Sequence, residues 1–248
     1  MAKISIVIPC FNQEEFLKDA ISSVLGNYSD FEVIVINDGS KNPDKIIEIC
    51  ESFKEIPIKL IHQENMGVCS ARNNAILQAC GDYILPLDAD DKIKNDYLKL
   101  ASDILDKNPN IGIVYCDAEF FGTKEGKWKL KKASIANMLI QNRIFNCAMF
   151  RKSDWKKTGG YNENMKEGCE DWDFWLSIME NGLKPFKINQ TLFMYRQHET
   201  SRTTNALKNY LTIRKKIIKN HKSLYLKYNL LVLLPMSARI LKELLCRK

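Results

Sequence analysis

The stretch Tyr83-Ile84-Leu85-Pro86-Leu87-Asp88-Ala89-Asp90-Asp91 joins an apolar segment of strand character to three carboxylates. Alternate residues of a strand project to the same side, so Asp88 and Asp90 share one side if the extended conformation continues. Two carboxylates at the carboxyl end of a strand predict a hard-oxygen site for Mg²⁺ or Mn²⁺ carrying a polyphosphate. The stretch alone is equally consistent with a solvated acidic turn in which Asp91 caps the next helix.

Three earlier apolar runs of strand length alternate with helical patterns. The runs lie at residues 4–12, 33–40 and 57–62, and the helical patterns at residues 14–25, 43–53 and 68–79. This alternation predicts an α/β fold with a mostly parallel sheet flanked by helices. Ligands bind outside the carboxyl ends of the strands in such sheets, which is where residues 9–12, Asp38 and residues 88–91 fall. A hairpin is predicted from Ala118 to Leu130.

Five short motifs occur in a fixed order along the chain. They are Val7-Ile8-Pro9-Cys10-Phe11-Asn12, Ile36-Asn37-Asp38-Gly39-Ser40, Asn65-Met66-Gly67 with Ala71-Arg72-Asn73, Asp88-Ala89-Asp90, and Glu170-Asp171-Trp172. Each is weak alone, but their order and spacing resemble the family 2 glycosyltransferases of the GT-A fold over about residues 3–200. Many members have two acids where this chain has Asn37-Asp38, which leaves the role of position 37 open.

The resemblance implies that a nucleotide-sugar donor binds within residues 1–117. Asp38 would accept a hydrogen bond from a base N–H, with uracil expected, or it could cap the turn at Gly39-Ser40. Arg72 would reach a phosphate or pair with the acidic edge of the sheet. Three further residues would line the nucleotide pocket: Pro9, Phe11 and Glu14.

The resemblance also implies a divalent cation, Mn²⁺ or Mg²⁺, which neutralises charge on the leaving diphosphate. Asp90 would bind the metal directly, and Asp88 would contact the metal or the ribose. In some relatives a histidine completes the metal sphere, and His198 matches it. A lone histidine is more often structural, so that alternative stays open.

Residues 118–204 match the acceptor half of the family. Asp171 is predicted to be the general base of an inverting transfer, with Glu170 and Trp172 as substrate contacts. An inverting mechanism is expected because the resemblance supplies one base and no second nucleophile. The alternative is that the acids complement the dipole of a helix and the neighbouring aromatic residues belong to the core.

The charge of the 248-residue chain is unevenly placed. Residues 202–248 carry a net charge of +11, whereas residues 1–201 carry −4. We expect a catalytic domain over residues 1–204 and a basic amphipathic helical tail over residues 205–248. Basic charge interleaved with aliphatic runs favours a membrane surface over nucleic acid, with the enzyme peripheral on the cytoplasmic face. Packing of the tail on the domain is the alternative.

Scattered cysteines without a Cys-x-x-Cys pair, and no segment resembling a signal peptide or a membrane span, fit a reducing, cytoplasmic compartment. The absence of Gly-x-Gly-x-x-Gly and of a P-loop motif argues against a usual dehydrogenase or P-loop kinase. The expected function is sugar transfer to a saccharide or lipid-linked acceptor in polysaccharide or glycolipid assembly. An inactive membrane-associated binding module and a sugar nucleotidyltransferase remain alternatives, and a homo-oligomer is left open.

Overall fold

Four parallel strands alternate with three helices in the first third of the chain, as predicted. The computed structural model describes residues 3–26, 28–198 and 209–228. Within them the first elements are β1 (Ile4–Cys10), α1 (Glu14–Val24), β2 (Phe31–Asp38), α2 (Pro43–Ser52), β3 (Ile58–Gln63), α3 (Val68–Leu77) and β4 (Tyr83–Pro86). Every residue of β1 is buried, as expected for a central parallel strand covered on both faces.

The second part of the chain mixes short strands, a long strand pair and helices. Its elements are β5 (Lys92–Ile93), α4 (Tyr97–Lys107), β6 (Ile111–Gly122), β7 (Gly126–Trp128), α5 (Ile135–Met138), β8 (Met149–Arg151), α6 (Lys152–Thr158), α7 (Glu170–Glu180), β9 (Lys184–Gln197), α8 (Tyr210–Asn220) and α9 (Lys222–Lys227).

One sheet unites both parts in the strand order β3-β2-β1-β4-β8-β6-β9-β5. Strands β3, β2, β1 and β4 pair in parallel, and β6 pairs in parallel with β9. The short strand β8 lies antiparallel between β4 and β6, and thereby joins the two parallel regions. The predicted hairpin is present, because β6 and β7 pair antiparallel with Ala118 opposite Trp128. The α/β fold with flanking helices is therefore confirmed.

Helices α8 and α9 pack on the domain. Ile213 and Ile217 are buried, and the Arg214 guanidinium and the Tyr225 hydroxyl both donate to the carbonyl oxygen of Leu139, at 2.6 and 2.7 Å. The packing alternative therefore describes residues 209–228. Ile217 is fully buried, so this part of the predicted amphipathic tail turns apolar side chains towards the protein interior. The predicted tail residues 205–208 and 229–248 lie outside the described residues.

His221 holds these helices to α7. Its ring nitrogens lie 3.2 Å from carboxylate oxygens of Asp173 and Glu180, both on α7. Burial opposes protonation, but the two carboxylates outweigh it and raise the pKa of His221. No sequence pattern near His221 indicates these carboxylates, because they come from a helix that ends 41 residues earlier in the chain. No helix within the described ranges is long and apolar enough to cross a membrane.

The packing of α8 predicts unequal effects for two aliphatic substitutions in the same helix. Ile217→Ala should lower the free energy of unfolding by about 2–4 kcal/mol, since it opens a cavity under the helix. Leu211→Ala is the matched control: Leu211 is 44% exposed, so its loss should cost less than about 1 kcal/mol. Urea denaturation measures both. Equal, small effects would mean that α8 does not pack on the domain in solution.

Candidate functional site

The acidic residues after β4 form a tight turn at the carboxyl edge of the sheet. The strand ends at Pro86, and the turn closes through a hydrogen bond of 3.0 Å from Asp91 N to the Asp88 carbonyl oxygen. The extended conformation therefore stops before Asp88, but Asp88 and Asp90 stay close. Burial and then the charge of Asp88 raise the pKa of Asp90. Such a pair of carboxylates is stabilised by a cation.

His198 completes the outer side of this turn. Its Nε2 lies 2.8 Å from Asp90 Oδ2, directly after the end of β9. The predicted pairing of these two residues in one site is thus reproduced in space. His198 also lies against the ring of Phe16, with 5.3 Å between ring centroids.

Asp91 has a structural role that differs from the predicted helix cap. Helix α4 begins at Tyr97 after Asp96, so Asp91 is too early to cap it. Asp91 is buried and accepts a hydrogen bond of 2.8 Å from Arg196 N. Burial, followed by the charges of the neighbouring aspartates, raises its pKa well above the usual range.

Arg196 ties the acidic turn to β9 and was not predicted. Its Nε donates to the carbonyl oxygen of Asp90 at 2.8 Å, and its guanidinium lies 4.4 Å from the ring centroids of Phe16 and Phe121. The only sequence signal was its position two residues before His198. Pairing between β5 and β9 brings it to the turn.

Arg72 joins the acidic turn after β4 to the start of α7. Its side chain is 1% exposed, and its two terminal nitrogens lie 2.7 Å from Asp88 Oδ1 and 2.8 Å from Glu170 Oε1. Asn146 donates to the same Asp88 oxygen at 3.2 Å. Arg72 thus makes the predicted ion pair with the acidic edge of the sheet, and its predicted contact with a phosphate stays a prediction.

Asp171 is the second residue of α7 and follows Glu170 of this ion-pair group. Its carboxylate accepts hydrogen bonds from Trp172 N at 2.7 Å and from Asn142 Nδ2 at 2.9 Å. Burial and then the charge of Glu170 raise the pKa of Asp171 to about 7. A carboxylate with a pKa near the working pH is suited to general base catalysis. Asn142 was not predicted, since no motif marks it.

Trp172 does not fit its predicted role as a substrate contact. The side chain is buried, and its indole N–H donates to the carbonyl oxygen of Met138 at 2.7 Å. The alternative that assigned this aromatic residue to the core is therefore correct for Trp172.

The predicted nucleotide-pocket residues differ in accessibility. Pro9 is buried in β1, and the Phe11 ring is 41% exposed. Glu14 Oε2 is buried and has no hydrogen-bond partner among the described residues. Asp38 is also buried, and it accepts three hydrogen bonds, from Gln63 Nε2, Met66 N and Gly67 N, at 2.7–3.0 Å. Asp38 thus fixes the turn that begins α3, rather than the Gly39-Ser40 turn.

Asn73 explains part of the Ala71-Arg72-Asn73 motif. Its Oδ1 accepts from Trp155 Nε1 and Tyr161 N at 3.1 and 2.8 Å, and its Nδ2 donates to the Tyr161 carbonyl oxygen at 2.8 Å. Gly160 permits this contact, because a Cβ there would lie 2.6 Å from Asn73 Oδ1. Asn73 therefore fixes the glycine loop that precedes α7.

The donor set fits a cation that arrives with a polyphosphate. No group of three His, Cys, Asp or Glu side chains within residues 3–26, 28–198 and 209–228 is arranged to hold a metal alone. Asp90 and His198 offer two ligands for a cation. Arg72 and Asn146 both donate to Oδ1 of Asp88, so neither of these hydrogen bonds uses Asp88 Oδ2. Mg²⁺ commonly takes one or two carboxylates and completes its sphere with phosphate oxygens and water.

Comparison with known proteins agrees with this arrangement. The model of the family described as Glycosyl transferase family 2 matches residues 5–165. An uncharacterised glycosyltransferase of Haemophilus influenzae is 28% identical over 87% of this chain and 77% of its own length. Another, RT0329 of Rickettsia typhi, is 30% identical over 82% of this chain and 67% of its own. Chondroitin synthase of Escherichia coli is 30% identical over 77% of this chain, which spans 28% of that enzyme.

Solved structures share the fold. TarS residues 1–349 of S. aureus, in complex with UDP-GlcNAc, has a TM-score of 0.74 at 19% identity, covering 88% of this chain and 66% of that 1–349 chain. The mannosyltransferase PcManGT of Pyrobaculum calidifontis, in complex with GDP-Man and Mn²⁺, has a TM-score of 0.66 at 15% identity, covering 91% and 70%. The sheet is therefore of the GT-A type. With a family match over well over half of its length, the chain belongs to glycosyl transferase family 2, whose members are glycosyltransferases.

Proposed function

We propose that this glycosyltransferase moves a sugar from a UDP-sugar to a hydroxyl acceptor with inversion, assisted by Mn²⁺ or Mg²⁺, in surface polysaccharide or glycolipid assembly. The observation that carries the proposal is the buried Arg72, which contacts Asp88 on one side and Glu170 on the other. Asp88 belongs to the acidic turn that would bind the cation, and Glu170 directly precedes the candidate base Asp171. The contacts of Arg72 with both residues therefore support a single site for the cation and the base.

The donor side rests on the acidic turn and the end of β1. Asp90 and His198 would hold the cation, with Asp88 as a further ligand or a ribose contact, and the cation would stabilise charge on the departing diphosphate. The exposed ring of Phe11 suits stacking on a base. The three hydrogen bonds to Asp38 leave one acceptor position on Oδ2 for a base N–H. UDP-GlcNAc bound to TarS supports uracil, and Mn²⁺ in PcManGT supports the cation.

The acceptor side rests on Asp171. As the acceptor oxygen bonds to the anomeric carbon, the bond from that carbon to the diphosphate breaks and Asp171 takes the hydroxyl proton. Asn142 and Trp172 N–H orient the carboxylate. Glu170 is held by Arg72 and would bind an acceptor or donor hydroxyl through its remaining oxygen. Attack on the face opposite the leaving group inverts the anomeric configuration.

A lipid-linked acceptor would be reached at the cytoplasmic membrane surface. The outer side of α8 and α9 supports this part of the proposal, because Lys215, Lys219 and Lys222 are exposed there. Leu211 and Leu226 are 44% and 57% exposed on the same helices. Basic and apolar side chains together favour an anionic bilayer surface.

Substitutions at Asp171 and Asp90 should separate catalysis from donor binding. Asp171→Asn should lower turnover by about 100-fold or more while nucleotide-sugar binding persists, since only the base is lost. Asp90→Ala should abolish the metal-dependent part of nucleotide binding. Asp44→Asn, an exposed acid in the first turn of α2, is the control and should change neither. Calorimetry measures nucleotide-sugar binding by each variant, and a transfer assay measures turnover and the anomeric configuration of the product. A product with the anomeric configuration of the donor sugar would exclude an inverting mechanism.

The pH dependence should report the carboxyl of Asp171. Because its pKa is about 7, kcat/KM should rise with pH up to about 7 and then level, as the ionised base accumulates. Asn142→Ala removes a hydrogen bond that favours the ionised form of Asp171. The rising part of the curve of kcat/KM against pH should therefore shift to higher pH by about one unit. Gln78→Ala, at the far end of α3, is a control. If the pH dependence of kcat/KM does not shift in Asn142→Ala, Asn142 does not stabilise the ionised carboxylate of Asp171.

Membrane association can be tested without unfolding the tail. A truncation near Thr204 would remove α8 and α9 and expose the surface that they cover, so charge substitutions are preferable. Wild-type protein should sediment with phosphatidylglycerol vesicles at low salt. Replacing Lys215, Lys219 and Lys222 with Gln should weaken this by about 1 kcal/mol per residue. If the wild-type protein does not sediment with the vesicles, α8 and α9 only pack on the domain and do not bind a membrane.

A further inference from the structure

The tip of the β6–β7 hairpin and the residues that follow β7, here together called the hairpin, carry the densest positive charge in the predicted acceptor half. Residues 124–132 contain five lysines and one acid, although residues 1–201 as a whole carry a net charge of −4. All five lysines are exposed: Lys124, Lys127, Lys129, Lys131 and Lys132. A charge run of this kind is often only a solvated surface, so its surroundings decide its meaning.

These lysines form no ion pairs within the part of the chain that the structure describes. Their neighbours on the same sheet do: Lys94 pairs with Glu119, and Lys187 pairs with Asp117, at 2.8 and 2.7 Å. Glu119 lies opposite Lys127 in the hairpin register, but its carboxylate is used by Lys94. The hairpin therefore presents positive charge that the protein itself does not neutralise.

The hairpin is also in contact with the segment that holds the catalytic carboxylates. Trp128 is half-buried between the two, with its ring centroid 6.3 Å from that of Phe145. The residue after Phe145, Asn146, donates to Asp88, and Asn142 at the start of the same segment donates to Asp171. One face of residues 142–146 thus contacts the hairpin, and the other contacts the reaction centre.

This segment has unused hydrogen-bonding capacity. Asn146 Oδ1 and Arg143 Nε are buried and have no partner among the described residues. Most buried polar atoms in proteins are paired, so an acceptor and a donor left over here point to a polar ligand. Trp128, which contacts this segment through Phe145, also packs against Phe120, stacked at 5.2 Å, and against Tyr195 at 5.8 Å. An aromatic surface next to free hydrogen-bonding groups suits a sugar ring.

We infer that the hairpin binds the acceptor, and that the acceptor is an anionic saccharide bearing carboxylate or phosphate groups. The inference rests on the proposed glycosyl transfer and specifies its acceptor class. Lysines on the hairpin would attract the charged groups of the chain, and Trp128 would contact a sugar ring. The acceptor hydroxyl would then reach Asp171 past Asn142. A positively charged rim also raises the rate at which an anionic substrate arrives.

Oligogalacturonate and its methyl ester test this inference, because they share one sugar backbone and the ester lacks the negative charges. Wild-type protein should bind oligogalacturonate at low salt at least about tenfold more tightly than the ester. Replacing Lys127, Lys129 and Lys131 with Gln should remove that difference. Replacing Lys45, Lys54 and Lys107 with Gln makes the same change in net charge elsewhere on the surface and should preserve it. Equal loss in both triple variants, or equal binding of acid and ester, would overturn the inference.

Two further measurements separate this inference from its alternatives. Bound oligogalacturonate should slow hydrolysis of the UDP-sugar in the wild type and leave it unchanged in the hairpin variant, since the chain displaces water near Asp171. Stronger binding of phosphatidylglycerol vesicles than of oligogalacturonate by the hairpin lysines would overturn it in favour of a lipid surface. UDP-sugar binding is measured in every variant. Its absence in the wild type would refute the proposed function, whereas its presence without oligogalacturonate binding would refute only the anionic acceptor.

Discussion

The site depends on one buried guanidinium. Arg72 comes from α3, and its two anionic partners come from the turn after β4 and from the start of α7. A charge that is 1% exposed is stable only if it is paired and hydrogen-bonded, and the two carboxylates supply this pairing. The interaction therefore stabilises one arrangement of three elements that are far apart in sequence. Removing Arg72 would leave Asp88 and Glu170 without this shared cation, and removing either carboxylate would leave the buried guanidinium with one anionic partner instead of two.

The same ion-pair group gives the adjacent acids Glu170 and Asp171 different surroundings. Glu170 and Asp88 each accept a hydrogen bond from Arg72 through one oxygen. Within the described part of the chain, the carboxylate of Asp171 accepts its hydrogen bonds from Asn142 and from the N–H of Trp172 instead. Burial together with the charge of Glu170 raises the pKa of Asp171 to about 7. A carboxylic acid with a raised pKa beside an ion-paired carboxylate is typical of acid–base sites.

The sequence was informative where local pattern decides the outcome. Apolar runs and motif order predicted β1 to β4, the helices between them and the hairpin, because burial and periodicity act within a few residues. It was uninformative where partners come from distant segments. Asn142 and Arg196 carry no motif and reach the site only through the fold. Trp172 was misassigned because a motif shows which residues occur together and not which way each side chain points. The tail packing likewise depends on Leu139, about 75 residues before Arg214.

The contact between Asn73 and Gly160 has a consequence for how the chain tolerates change. Asn73 holds the backbone of Tyr161 on both its N–H and its carbonyl side, and Gly160 leaves no space for a side chain. The 86 residues from 74 to 159 lie between these two positions, so both ends of this segment are held together by the contact of Asn73 with Tyr161. Loops inside that interval can lengthen or shorten at low entropic cost without moving the glycine loop relative to α3. The fold is thus able to accommodate insertions and deletions in these loops while the contact between α3 and the segment before α7 is preserved.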